Sequence, residues 1–296
     1  SNWKNDILKT RPEFCEIWYD SRKFDAYEDL FLFLKKEHIP SGLHFWGATA
    51  DNTLCNLAYP DTEILQTSRK FSKKTLEIAA SHNALYVNFH PCGRLLSRVD
   101  FEKEEFTPYT KEIKASESIK ILTESFTELA SLSHALGVTL TIESTPRRAL
   151  GNPWSGKLGR YKPVSIGEFL VEEFEPLITQ IDELYFANDF GHTCGNVITD
   201  DKHIVLEMLV NIARRLAYKT KLLHVGYIIP PYNGTDFHGC LYNDEFTTST
   251  AVPNRDEMKD LLKIFLKRDD VLALVEPEKD HIGNYATLKQ LVSEIC

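Results

Sequence analysis

The stretch "LYFANDFGH", residues 184–192, places two chemically active side chains at the end of a buried strand. Leu184–Ala187 is an unbroken apolar run, which is typical of a strand that is covered on both faces and predicts a strand at 184–189. Asp189 and His192 follow it, three residues apart. A carboxylate and an imidazole at this point indicate a functional site only if other apolar runs end in the same way.

Similar apolar runs recur along the chain and alternate with longer amphipathic segments. Six more runs predict strands at 14–20, 42–48, 85–90, 139–144, 221–226 and 271–277. Apolar residues at three- and four-residue spacing predict helices at 27–38, 114–137, 203–218 and 255–268. This alternation indicates parallel strands that are joined by helical crossovers.

Seven strands with this rhythm favour a TIM-type (β/α) barrel of the α/β class, formed by residues 1–296 as a single domain. The first strand has no glycine-rich dinucleotide loop after it, which argues against a Rossmann fold. "NWKNDILKTRP", residues 2–12, predicts a helix where a barrel usually has its first strand. The barrel is therefore expected to have seven strands or an irregular first strand.

Composition is typical of a soluble α/β protein. The chain has 296 residues, 43% of them apolar, which suffices for a barrel of about 250 residues. It contains neither an apolar run of the ~18 residues that span a bilayer nor a signal-peptide pattern, so we expect a cytoplasmic protein. Six scattered cysteines without a C-x-x-C pair indicate reduced thiols. A net charge of −9 gives no overall basic field for nucleic acid, although a local basic groove stays compatible with it.

The predicted strand ends carry an unusual concentration of imidazoles and carboxylates. They are His90, Glu143, Asp189, His192, His224 and Glu276, with Asp236 and His238 in the loop after the His224 strand. Each residue alone has an ordinary explanation as a structural histidine, a helix cap or a turn former. In a barrel, however, the carboxyl ends of the strands surround one mouth. Imidazoles and carboxylates without thiolates suit zinc, manganese, cobalt or magnesium, and a cation would offset the repulsion between the carboxylates.

These strand ends resemble those of the xylose isomerase-like TIM-barrel superfamily. The matching motifs are "NFHPCG" (88–93), "TIES" (141–144), "NDFGH" (188–192), "LLHVG" (222–226), "TDFHG" (235–239) and "LVEPE" (274–278). They follow the family's order, and the resemblance extends from about residue 10 to residue 290. The superfamily includes sugar isomerases and epimerases as well as endonuclease IV (AP endonuclease family 2).

The resemblance implies one shared metal site and two different chemistries. The shared ligands correspond to Glu143, Asp189, His224 and Glu276. In the sugar branch they would bind one divalent cation, and Glu143 and Glu276 would move protons between neighbouring carbons of a ketose or its phosphate. In the endonuclease branch a three-zinc cluster is expected. The additional ligands there would be His90 at the first zinc, beside Glu143, and His192, Asp236 and His238 at the third.

The sequence departs from the endonuclease pattern in ways that favour the sugar branch. Alignment puts Gly47, Ala48 or Ala50 where that branch has a histidine after its third strand, and His44 lies too early in the predicted strand. The residues that endonuclease IV inserts at a lesion have no match around Thr53. We therefore expect one or two metals and a sugar isomerase or epimerase. The alternatives are a zinc-dependent AP endonuclease, which would act on nucleic acid, and a metal-binding barrel without turnover.

Two further groups of residues are candidates for substrate binding. The loop at 145–165 contains Arg147, Arg148, Lys157, Arg160 and Lys162, with Trp154 and Tyr161 among them. It is either a solvated loop or a flap over the mouth that holds an anionic substrate. Trp18 and Trp46 are either barrel-wall residues or an apolar wall against a sugar face. Cys194 and Cys240, beside proposed ligands, are interpreted as small filling residues.

Overall fold

The computed structural model describes residues 3–100, 105–147, 149–150, 163–164, 167–234, 236–237, 239–277 and 280–295. These residues form two compact units. The N-terminal unit comprises the described residues of Pro12–Glu143 and Ile166–Tyr185. The C-terminal unit comprises those of Ser1–Arg11, Ser144–Ser165 and Phe186–Cys296. The prediction of a single domain stays a prediction.

The strands follow the predicted rhythm. They are β1 (Cys15–Asp20), β2 (Ser41–Trp46), β3 (Tyr86–Phe89), β4 (Ser97–Asp100), β5 (Glu105–Pro108), β6 (Thr139–Glu143), β7 (Ala149–Leu150), β8 (Pro163–Val164), β9 (Leu184–Asp189), β10 (Thr220–His224) and β11 (Leu272–Leu274). All seven predicted strands are present, and β9 has the predicted ends. The pairs β4–β5 and β7–β8 are short antiparallel additions.

Helices separate the parallel strands. They are α1 (Trp3–Thr10), α2 (Glu28–Glu37), α3 (Thr62–Ser81), α4 (Ala115–Leu136), α5 (Val171–Gln180), α6 (Phe190–Cys194), α7 (Lys202–Leu216), α8 (Asp244–Thr247), α9 (Arg255–Phe265) and α10 (His281–Ser293). Two 3-10 segments lie at Ser21–Tyr27 and Ala217–Lys219. The helix expected at the N-terminus is α1. In the part of the chain that the structure describes, no helix is both long enough and apolar enough to cross a membrane.

Strand pairing within each unit is parallel and follows chain order. In the N-terminal unit β1 pairs with β2, β2 with β3, and β3 with β6. In the C-terminal unit β9 pairs with β10, and β10 with β11. The register sets His44 opposite Asn88, and His224 opposite Asp189. The pairing therefore brings polar residues on neighbouring strands to the same level.

Local sequence signals set several helix ends. Asp61 caps α3, because its carboxylate accepts a hydrogen bond from the Ile64 N–H at 3.0 Å. Asn254 and Glu257 form a capping box that starts α9. Gly137 ends α4 in the left-handed conformation, at φ +70°, where a residue without a Cβ is least strained.

Each unit has its own buried core. In the C-terminal unit Phe190, Leu209 and Phe265 are fully buried. In the N-terminal unit Leu122 and Phe126 of α4 are fully buried as well. Burying one such side chain contributes about 1.5–3 kcal/mol. The cores therefore hold the strand ends, and the polar residues on them, in fixed positions.

Candidate functional site

In the N-terminal unit His44, His90 and Glu143 form what we call the two-histidine cluster. The Nε2 atoms of His44 and His90 are 3.2 Å apart. The Glu143 Oε2 atom lies 3.5 Å from the first of them and 3.6 Å from the second. Three ligand atoms that carry electron pairs thus converge at one point, where a proton or a cation between them lowers their repulsion. His44 lies too early in its predicted strand for this role, but the structure places it in the cluster.

Glu143 is fixed by a chain of buried hydrogen bonds. The Asn88 side-chain amide donates to the Glu143 carboxylate. The Thr141 hydroxyl in turn donates to the side-chain oxygen Oδ1 of Asn88 at 2.8 Å. All three side chains have no solvent exposure. A carboxylate held in this way keeps one orientation, as a metal ligand or a proton-transfer group requires.

In the C-terminal unit Asp189, His224 and Glu276 form what we call the aspartate cluster. His224 Nδ1 lies 3.1 Å from a Glu276 oxygen and 3.7 Å from an Asp189 oxygen. These three residues supply the charged and imidazole side chains in the lining of a cavity of about 10 Å³. A cavity of this volume is about large enough for one water molecule, so it can also hold a single cation.

The turn between β9 and α6 fixes the position of Asp189. It is the last residue of β9 and caps α6, because its Oδ1 atom accepts a hydrogen bond from the His192 N–H at 2.8 Å. Its Oδ2 atom is the one that faces His224. The Ser144 hydroxyl also contacts the Asp189 backbone, at 3.2 Å. The cap thus leaves one carboxylate oxygen directed toward the aspartate cluster.

His192 pairs with Asp236 next to this cluster. Its Nδ1 atom donates to the Ser144 carbonyl oxygen at 2.9 Å, which leaves Nε2 facing an Asp236 oxygen at 3.1 Å. A ring nitrogen without its proton would repel that carboxylate, so the pair fits a protonated imidazole or a bound cation. His238, the third member of the predicted group, lies outside the described residues.

The donor set of both clusters fits a divalent cation. Imidazole nitrogens and carboxylate oxygens suit zinc, manganese, cobalt and magnesium.

Cys194 is fully buried, and burial raises the pKa of its thiol well above the ordinary value of 9.0. It therefore stays a thiol that donates to the Val252 carbonyl oxygen at 3.7 Å, as expected for a filling residue. Cys240 is buried too, with 3% exposure.

The predicted substrate-binding residues are only partly described. Trp18 is 54% exposed, so it is not a buried wall residue, and its ring packs edge-on against Trp46 at 6.0 Å. Arg147 is exposed at the start of the basic loop. Arg148, Lys157, Arg160, Lys162, Trp154 and Tyr161 lie outside the described residues. Strands β7 and β8 pair near the two ends of the loop.

Three residues of the N-terminal cluster were missed in the sequence. Asn88 contacts Glu143, Glu16 contacts His44, and Tyr86 contacts Glu16. The usable signal for Glu16 is its charge within the apolar run of β1, since an acidic residue at such a position needs a partner. Tyr86 carried no comparable signal.

The chain has the fold of the xylose isomerase-like TIM barrels. No protein-family model and no curated protein sequence matches it. Among solved structures, a D-tagatose 3-epimerase-like protein is similar over 98% of this chain and 92% of its own, with a TM-score of 0.66 and 13% identity. The D-psicose 3-epimerase of Clostridium cellulolyticum H10, solved with D-tagatose, is similar over 100% of this chain and 90% of its own, with a TM-score of 0.59 and 13% identity.

A third similar structure is a xylose isomerase-like TIM-barrel protein from Mycobacterium smegmatis, solved in complex with magnesium. It covers 99% of this chain and 89% of its own, with a TM-score of 0.58 and 14% identity. At these identities the similarity establishes the fold. The predicted TIM-type α/β class is confirmed, and so is the resemblance to the superfamily at the level of the fold.

Proposed function

We propose that this protein is a divalent-metal-dependent enzyme that isomerises or epimerises a sugar or a sugar phosphate. The observation that carries the proposal is the aspartate cluster, in which Asp189, His224 and Glu276 line one cavity of about 10 Å³. The similarity of almost the whole chain to the folds of a D-psicose 3-epimerase and a D-tagatose 3-epimerase-like protein supports a sugar as the substrate.

In this proposal Glu143, Asp189, His224 and Glu276 are the metal ligands. When bound, a divalent cation would supply Lewis-acid chemistry toward the substrate carbonyl, and its charge would offset the repulsion between the carboxylates. Glu143 and Glu276 are the proton-transfer groups: one removes the proton from the carbon beside the carbonyl, and the other returns a proton. Asn88 holds Glu143 in place, and His224 lies against Glu276. Zinc and manganese suit this donor set best, with cobalt and magnesium as further candidates.

Exchange of substrate protons with solvent tests the proposal without knowledge of the natural sugar. The wild type, loaded with Mn²⁺ or Zn²⁺, is incubated in deuterated water with a panel of ketoses and ketose phosphates. NMR then detects deuterium at the carbon beside the carbonyl. Glu276→Gln is the test variant, and Glu207→Gln, an exposed glutamate of α7 in the same unit, is the matched control.

We expect exchange with at least one ketose in the wild type and in Glu207→Gln, and its loss in Glu276→Gln. Undiminished exchange in Glu276→Gln would remove the proton-transfer role of that residue. No exchange with any ketose in the metal-loaded wild type would contradict the proposed function.

A second candidate is phosphodiester hydrolysis of the zinc-dependent AP endonuclease type. It is favoured by the place of His44 beside His90 and Glu143, together with the His192–Asp236 pair, because these give more ligands than one cation needs. The test is cleavage of duplex DNA with one abasic site in the presence of zinc. His44→Gln is compared with His134→Gln, whose side chain is 69% exposed.

Cleavage by the wild type that is lost only in His44→Gln would establish this function in place of the first. Absence of cleavage by the zinc-loaded wild type would reject it. Metal binding without either activity would indicate a metal-binding barrel that has lost turnover.

A further inference from the structure

Glu16 lies directly behind the two-histidine cluster, on β1. Its side chain is only 7% exposed, and both carboxylate oxygens are engaged. Oε1 lies 3.3 Å from His44 Nδ1, and Oε2 accepts a hydrogen bond from the Tyr86 hydroxyl at 2.9 Å. The carboxylate is therefore held between a tyrosine on β3 and a histidine on β2.

The backbone is built to allow this arrangement. Glu16 pairs with Gly42 across the β1–β2 ladder. A Cβ atom at Gly42 would lie 2.0 Å from the Tyr86 ring, which is closer than atoms can approach. The ring thus occupies the space that a side chain would take, and its hydroxyl reaches Glu16 as a result. Glycine is required here for a close approach rather than for a turn.

The contact with Glu16 determines which ring nitrogen of His44 carries the proton. A carboxylate only accepts hydrogen bonds, so the Nδ1 atom must be the donor. A neutral imidazole then has its electron pair on Nε2. Nε2 is the atom that faces His90 at 3.2 Å and Glu143 at 3.5 Å. Glu16 thus presents His44 in the form that a metal needs.

We propose that Glu16 is a positioning residue: through its bond to Nδ1 it fixes the tautomer and the ring orientation of His44, so that Nε2 binds a divalent cation together with His90 and Glu143. Tyr86 holds Glu16 in the orientation that this requires. A carboxylate behind a ligating histidine typically changes metal affinity 10- to 100-fold. The proposal rests on metal binding by the chain and assigns a role to a residue outside the ligands of the proposed function.

The first readout is the tautomer of His44 in metal-free protein, measured by long-range ¹H–¹⁵N NMR at pH 8, with His44→Gln to assign the signal. We expect the Nδ1–H tautomer in the wild type and a mixture of tautomers in Glu16→Ala. Glu16→Gln should retain the Nδ1–H form, because its amide oxygen still accepts the bond. The Nε2–H tautomer in the wild type would overturn the proposal even if Glu16→Ala fails to fold.

The second readout is zinc affinity, measured by competition with a chelator. We expect binding to weaken by about 10- to 100-fold in Glu16→Ala and by a smaller factor in Tyr86→Phe. Asp20→Asn is the matched control, because Asp20 lies on the same strand but pairs with Arg22. Wild-type affinity in Glu16→Ala would contradict the proposal. A wild type that binds none of zinc, manganese, cobalt and magnesium would defeat both the proposed function and the cation site at His44, whereas the tautomer measurement would still decide whether Glu16 orients His44.

Discussion

The buried hydrogen bond from Asn88 to Glu143 supports a quantitative prediction. Asn88→Leu keeps a side chain of similar size but removes the donor, and both residues have no solvent exposure. A hydrogen bond to a charged group is worth about 1.5–3 kcal/mol. Thr141→Val is the matched control. It removes the neutral bond from Thr141 to the Asn88 side-chain oxygen, worth about 0.5–1.5 kcal/mol, which Asn88→Leu removes as well, and a longer bond to the Val87 carbonyl oxygen at 3.4 Å. The free energy of unfolding should therefore fall by more in Asn88→Leu than in Thr141→Val.

The assay is urea unfolding, followed by far-ultraviolet circular dichroism, of both variants and the wild type in the presence of a chelator. The same three proteins are then titrated with zinc, where Asn88→Leu should bind about 10- to 100-fold more weakly because Glu143 has lost its orienting partner. If Asn88→Leu costs no more stability than Thr141→Val, the bond to Glu143 is not what holds this part of the structure. Unchanged zinc affinity would show that the orientation of Glu143 does not matter for binding.

Three further predictions concern other parts of the chain. Arg147→Ala should raise KM for a phosphorylated ketose more than for its neutral analogue, since a guanidinium binds phosphate. Equal changes in KM for the two substrates, measured by steady-state kinetics, would indicate that the basic loop is a solvated loop without a role in phosphate binding. Hydrogen bonds from Thr49 and Thr53 lower the pKa of Asp51 from 3.8 to about 2. The ionised Asp51 therefore stabilises the fold above about pH 4, and this stabilisation is lost as the pH falls toward 2. The free energy of urea unfolding should depend less on pH in this window for Asp51→Asn than for the wild type. Equal pH dependence of the two proteins would contradict this prediction. Leu122→Ala should lower the free energy of unfolding by about 2–5 kcal/mol, because Leu122 is fully buried; a loss below about 1 kcal/mol would contradict its place in the core.

The fold was largely predictable because parallel strands buried on both faces read as continuous apolar runs. The segment at 184–189 is the clearest case, since its predicted and observed ends agree. Helix α3 was not predicted, and its buried face explains why. Ser68, Ser72 and Thr75 point inward there, so hydrophobic spacing understates the amphipathic pattern. Helix α10 was missed for a related reason, because Asn284 is among its buried residues.

The candidate site was predictable to the extent that it depends on strand ends. Asp189, His224 and Glu276 lie at the ends of apolar runs, and they come together at the carboxyl ends of parallel strands. The position of His44 in the site could not be predicted, because the residue of β3 that lies beside it depends on the register between β2 and β3. It pairs with Asn88, and β2 continues for two residues beyond it. Glu16 depends on contacts with two other strands, which local spacing does not encode.

Metal content per chain tests the central claim most directly. The protein is purified without added metal, and elemental analysis is carried out before and after incubation with zinc and manganese, followed by removal of excess ion. The account predicts at least one divalent cation per chain in the wild type, and less in a variant that lacks His224 of the aspartate cluster. A wild type that retains no metal after either incubation would contradict the account.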